Sequence, residues 1–229
     1  MDPKVKSRAQ EELLSLYLRL NGFFVTGFIV HSPVHGRVAT EVDVLAVRFP
    51  YSREPERQVD PDPEIETSDQ FVDLVICEAK SKGQQLQFNG ALIENSERMA
   101  SLLRWAGLHQ EDEIQALAPQ VCSALSPTNP PKASIPTVLG PRQTRVRGFL
   151  CCPERDIKRN NQAWFLTGSA ILGYIGRCLC PEVPRSTCAT TYDFGQWGQY
   201  EKTVRYFKER DSGNQGTMKD FYAYMQKAL

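Results

Sequence analysis

The stretch DLVICEAKSK, residues 73–82, sets the strongest constraint on the fold. Leu74, Val75, Ile76 and Cys77 are consecutive and apolar, so a strand built from them is hydrophobic on both faces and has to lie inside a covered sheet. The run then ends in Glu78, Ala79 and Lys80. Residues two apart on a strand share a face, so Glu78 and Lys80 project together at the end of a buried strand while Ala79 faces the other way.

The remaining sequence supplies cover for such a strand. Residues 9–20 carry Leu13, Leu16 or Tyr17, and Leu20 on one stripe and stop at Asn21-Gly22, the pattern of an amphipathic helix. Residues 23–31 read as a strand. Ser32, Pro33 and Gly36 then reverse the chain into residues 40–49, where Val42, Val44 and Ala46 alternate against Glu41, Asp43 and Leu45, giving an antiparallel hairpin. Between Arg53 and Asp69, seven acidic residues stand against two arginines among several prolines, which reads as a solvated or disordered insertion with little to bury. It would oppose an anionic partner unless it swings away or acts as a gate.

Residues 71–80 form the third expected strand. Helices follow at 92–105 and 111–122, then a proline-rich connection and a strand at 144–152. In the last third, a strand at 164–167 runs into a helix at 170–180, residues 197–208 read as helical, and Thr217 with Asp220 caps a helix running to residue 229. The expected class is α/β: a central mixed sheet flanked by helices, with residues 1–152 as core and 153–229 as a mostly helical C-terminal extension packed on it in a single domain.

Composition excludes several functions. Lys plus Arg equals Asp plus Glu at 27 each, so no global field advertises a nucleic-acid or membrane partner, and attraction to an anion must be local. No apolar run approaches the ~18 residues that span a bilayer, and no signal region follows the first basic residues. A cytoplasmic protein with no membrane partner is expected. Seven cysteines without a CxxC pair, beside three histidines, read as free thiols rather than a disulfide framework or zinc site.

Asp43 lies on the second expected strand and Glu78 and Lys80 end the third. If those strands are neighbours, two carboxylates and an ammonium converge. That grouping suits phosphodiester hydrolysis: the carboxylates hold a hard cation such as Mg2+ or Mn2+, and the lysine can hold the attacking water and stabilise developing negative charge.

On Asp43 in TEVDVLAV and Glu78-Ala79-Lys80 in ICEAKS, over residues 9–152, the chain resembles the PD-(D/E)XK nuclease superfamily with its restriction-endonuclease-like core. Val42 stands where the proline of the motif's name would be. The resemblance implies that Asp43, Glu78 and the Ala79 carbonyl bind metal and that Lys80 is catalytic. It further implies a helix glutamate that orients a water or a second ion, for which Glu11 precedes Gly22 by about three turns and Glu12 is its neighbour. The expected activity is that of a metal-dependent DNA endonuclease. The alternatives are a non-catalytic nucleic-acid- or protein-binding module that keeps the fold, or an RNA-cleaving relative.

Further candidates accompany these. Glu41 shares a face with Asp43, Asp73 opens the third strand, and Gln84, Gln85 and Gln87 follow the motif. Six basic residues lie between Arg142 and Arg159, and Arg142, Arg145, Arg147, Lys158 and Arg159 are the candidates for phosphate contacts. Aromatic residues concentrate near the C-terminus at spacings that favour core packing. A homodimer would place two sites on the two strands of a duplex.

Overall fold

The computed structural model describes residues 2–32, 34, 36–52, 59–126, 134–155, 164–181, 194–211 and 213–227. Helix α1 (Pro3–Leu20) leads into strands β1 (Phe24–His31), β2 (Val38–Arg48) and β3 (Val72–Ala79). Helices α2 (Gly90–Ile93), α3 (Ser96–Ala106) and α4 (Glu111–Leu125) precede β4 (Thr137–Gly140), β5 (Thr144–Cys152) and the short β6 (Phe165–Thr167). Helices α5 (Gly168–Leu179), α6 (Glu201–Lys208) and α7 (Met218–Lys227) complete the chain.

The sheet has the order β1-β2-β3-β5-β4, with β6 also paired to β5. The β1–β2, β2–β3 and β4–β5 pairs are antiparallel, and β3–β5 and β5–β6 are parallel, so the sheet is mixed. The apolar run of β3 explains its central place. Val75 and Cys77 face a layer containing Leu13, Leu14 and Tyr17 of α1, while Leu74 and Ile76 face one containing Leu102, Leu103 and Val121 of α3 and α4. The C-terminal helices bury Ile171, Ile175, Phe207 and Phe221 in the same layer as α1. Tyr174 meets Tyr17 edge to face at 5.4 Å. No helix among the described residues is long and apolar enough to cross a membrane.

Several element bounds differ from those expected. Helix α1 begins at Pro3 because the Asp2 carboxylate caps its first turn, accepting from the amides of Lys4 and Val5, with a proline where no amide is needed. The expected helix over 92–105 is two, because Asn95 breaks off α2 and caps α3 through the Arg98 amide. Strand β4 was not expected at all: it is four residues long and follows a proline-rich stretch.

The acidic insertion corrects the expectation more sharply, because its second half is built into the core. Residues 53–58 lie outside the described residues, but Ile65 is fully buried in a 3-10 turn at Pro63–Ile65. Tyr17 Oη donates to Asp62 at 2.9 Å, and the Asp62 amide donates to Asn21 Oδ1 at 2.7 Å. One apolar side chain and satisfied polar groups suffice to seat a segment whose charge density reads as solvated.

Asp73 is the hinge of a second buried network. It is inaccessible to solvent and accepts from Arg147 at 3.0 Å and from Arg145 Nη2 at 2.8 Å, with a further contact from Arg145 Nε. Arg145 also donates to the Glu66 carbonyl at 2.7 Å and Arg147 to the Ile65 carbonyl. The guanidinium of Arg147 is pushed down to about 10 by burial, with Asp73 opposing that shift. Removing one member of such a group leaves an uncompensated buried charge. Asp73→Ala is therefore expected to lower stability by about 3–5 kcal/mol in urea unfolding followed by circular dichroism. A loss under ~1 kcal/mol would contradict this account.

Candidate functional site

The adjacency expected of β2 and β3 is present, with Val44 opposite Cys77 as the last ladder pair toward the site. The alternation expected along β2 is not. Thr26 of β1 pairs with Leu45 and Phe28 with Val42, so a step of two residues on β1 spans three on β2, and Asp43 with Val44 opposes Gly27 alone. This is a β-bulge, which adds a residue to one strand and re-aims its side chains. Its effect is visible in the packing: Val42 lies in the layer under α3 and α4, whereas Val44 lies in the layer under α1. In a regular strand the two would share a face.

Bulging brings Asp43 to the end of β3. Its Oδ2 accepts from the Ala79 amide at 2.8 Å. Glu78 is buried, its Oε1 accepts from the Asn89 amide at 2.9 Å, and its Oε2 is paired with the Lys80 ammonium. Lys80 lies one residue past β3, its amide still bonded to the Cys151 carbonyl at 2.7 Å. Asn89 holds the group together from the far side: it caps α2 through the Ala91 amide at 3.0 Å and donates to Thr40 Oγ1 at 2.8 Å.

From α1, Glu11 comes within electrostatic reach of Asp43 and Glu41, while its Oε1 accepts from Ser7 Oγ at 2.9 Å. Glu12 turns instead to α6, where Thr203 Oγ1 donates to it. The structure thus separates the two helix glutamates, placing Glu11 with Asp43. Burial is the largest influence on Glu11, Asp43 and Glu78, and it raises all three above the ordinary carboxylate range. The charges of Asp43 and Glu41 raise Glu11 further. Lys80 pulls Asp43 and Glu78 back down, as do the amides of Ala79 and Asn89, without cancelling the effect of burial.

Two clefts meet at Asp43. One, of about 810 Å3, is walled by Ser7, Gln10, Thr40, Glu78, Lys80 and Asn89. The other, of about 790 Å3, is walled by Lys4, Arg8, Glu11, Glu12, Thr26 and Lys202. Among the described residues no group of three or more His, Cys, Asp or Glu side chains is placed to hold a metal ion. Mg2+ needs none, since it keeps several waters and uses one or two carboxylates. Asp43 and Glu78 are two desolvated carboxylates of the kind such an ion uses, with Glu11 desolvated nearby and Lys80 the cation paired with Glu78.

The expected phosphate contacts fall elsewhere. Arg145 and Arg147 point into the protein toward Asp73, and Arg142, on the turn between β4 and β5, pairs with Glu113. Along β5, Arg145 stands five residues from Leu150, the partner of Glu78, or roughly 17 Å from it. Lys158 and Arg159 lie outside the described residues. Besides Lys80, the basic residues that line the clefts are Lys4, Lys6 and Arg8, which alternate along the start of α1, and Lys202 of α6.

Gln10 is another residue the sequence reading passed over. It is buried at 1 % exposure, donates to Tyr222 Oη of α7 at 2.8 Å and accepts from Ser81 Oγ at 3.2 Å. Gln84, singled out from sequence, accepts from the Ser81 amide at 2.6 Å and so folds the loop after Lys80. No signal in the sequence marks Gln10, whereas Asn89 carries a legible one, a side-chain cap before a short apolar helix.

No family model, curated protein or solved structure matches the chain. The functional reading therefore rests on its own residues.

A raised carboxylate binds its proton more tightly in the folded chain than in the unfolded one. Stability from that proton is complete below the unfolded value and is lost as pH rises through the folded value. Near pH 7.5 the ionised Asp43 is a burden that Asp43→Asn removes, with an acceptor for the Ala79 amide retained. Asp43→Asn is expected to raise Tm by about 2–4 °C near pH 7.5 and to leave it unchanged near pH 3.5. Thermal unfolding at the two pH values checks this, and a lower Tm near pH 7.5 would count against it.

Proposed function

We propose that the chain is a divalent-metal-dependent nuclease that hydrolyses phosphodiester bonds of DNA as an endonuclease, with Mg2+ or Mn2+ as the ion and a restriction-endonuclease-like core. The observation that carries this reading is the bulge at Asp43. It sets one half-buried carboxylate on the Ala79 amide beside a buried second, Glu78, that is already paired with Lys80. A salt bridge serving stability alone gains nothing from a break in the ladder and two further desolvated acids nearby.

Asp43, Glu78 and the Ala79 carbonyl would hold the ion. Such an ion, when bound, supplies Lewis acidity at phosphorus and lowers the pKa of a coordinated water. Lys80 has three donors to hold the attacking water in line and to face the negative charge that builds on the phosphoryl oxygens. Glu11, raised by burial and by its acidic neighbours, would orient that water and draw its proton. Water attack forms a new P–O bond and breaks the ester bond on the opposite side, with the leaving oxygen protonated from solvent. Lys4, Arg8 and Lys202 beside Glu11 place positive charge where a strand would run.

Supercoiled plasmid incubated with the purified chain and Mg2+ or Mn2+ should be nicked or linearised, and EDTA should abolish this. Lys80→Ala and Glu78→Gln should each lower the rate by at least about 100-fold while leaving the circular dichroism spectrum unchanged. Wild type inert on plasmid, single-stranded DNA and RNA alike would replace this reading with that of a binding module.

A further inference from the structure

Exposed apolar side chains gather at one edge of the sheet. Of the eight large ones among the described residues, Phe24 and Ile29 lie on β1, Val34 and Val38 at the turn into β2, Phe49 and Tyr51 just past the end of β2, and Trp105 on α3 against Phe28. Leu139 alone lies on the opposite edge. Phe24 is 68 % and Tyr51 74 % exposed, values that leave most of each ring in water.

Among the described residues strand β1 is itself the open edge. Its eight residues, FVTGFIVH, include no Lys, Arg, Asp, Glu or Pro, the residues that normally blunt such an edge. Both register shifts against β2 put the extra residue in β2, so no bulge of its own bends the outer edge of β1 away. The apolar residues also flank the edge on both faces. Phe24 and Phe28 pair with Val47 and Val42 on the α3 side, and Ile29, paired with Glu41, points to the other. A docked helix or globular surface covers one face of a sheet, whereas an added strand covers both, because its own side chains alternate.

We propose that β1 pairs antiparallel with β1 of a second copy of this chain, making one continuous sheet about a twofold axis. An isologous contact suits a strand without charges, since no like charges are brought opposite one another. The area is also of the right size. Rings of this kind present about 150–250 Å2 each, so the four exposed aromatic side chains alone leave on the order of 500 Å2 open. The aliphatic residues and the strand edge bring this toward the roughly 800 Å2 per partner of a stable interface.

Sedimentation velocity on the full chain from about 1 to 100 µM should show a species of twice the 25.9 kDa chain mass, in a concentration-dependent equilibrium. The double variant Phe24→Lys and Ile29→Lys changes two exposed side chains and should keep the wild-type circular dichroism spectrum while weakening association at least about 100-fold. Hydrogen exchange of the β1 amides should slow as protein concentration rises. A monomer at every concentration overturns the proposal. So does a dimer that survives the lysine substitutions or leaves β1 exchange unchanged. A monomer whose β1 amides are protected only by an added strand-forming peptide of unrelated sequence assigns the edge to a foreign strand and overturns self-pairing.

Discussion

Leu74 to Cys77 point alternately to the two faces of β3, and each such side chain contributes about 1.5–3 kcal/mol on burial only if its own face is covered. Most of the other elements follow from that demand. Helices α2–α4 fill the crossover between the parallel strands β3 and β5 and cover Leu74 and Ile76. Helix α1 covers Val75 and Cys77, but one helix cannot span a sheet of this width, and α5–α7 complete the layer. The C-terminal third is thus part of the core rather than an attachment to it.

The same two-sided burial shapes the candidate site. A strand that is dry on both faces delivers its terminal polar residues at the rim of the sheet, where they are partly desolvated before any ligand arrives. Glu78 is 3 % exposed, and its carboxylate is held by one amide and one ammonium. Asp43 joins it only because β2 carries an extra residue at that point. The raised carboxylates follow from this geometry, and their ionised forms cost stability at neutral pH.

Much of this was legible in the sequence, and the rest was hidden for particular reasons. The bounds of β5 and the neighbourhood of Asp43, Glu78 and Lys80 follow from apolar periodicity, which reports burial directly. The bulge does not, because a period of two fits residues 42–46 until the partner strand is known. Nor does the choice between Glu11 and Glu12, which depends on Thr203 of α6 reaching one of them from far along the chain. Arg145 and Arg147 share a strand face, as their spacing requires, yet that face is interior at this end of the sheet, and charge counting cannot tell an inward arginine from an outward one.

Their inward direction also bears on the acidic insertion. Read alone, seven acids within one loop oppose any anionic strand unless the loop moves. In the folded chain Asp62 and Asp69 of the loop accept from Tyr17 and Arg48, Asp73 of β3 just beyond it accepts from Arg145 and Arg147, and the loop carbonyls of Glu66 and Ser68 accept from Arg145 and Arg48. That cluster sits where Asp73 pairs with Arg48 across the sheet, five residues along β3 from Glu78 and hence roughly 17 Å away. At physiological ionic strength this is about two Debye lengths, so what negative charge remains exposed there is largely screened from the rim at Asp43. The described part of the acidic loop therefore adds little negative potential at the cleft where Lys4, Arg8 and Lys202 stand beside Glu11.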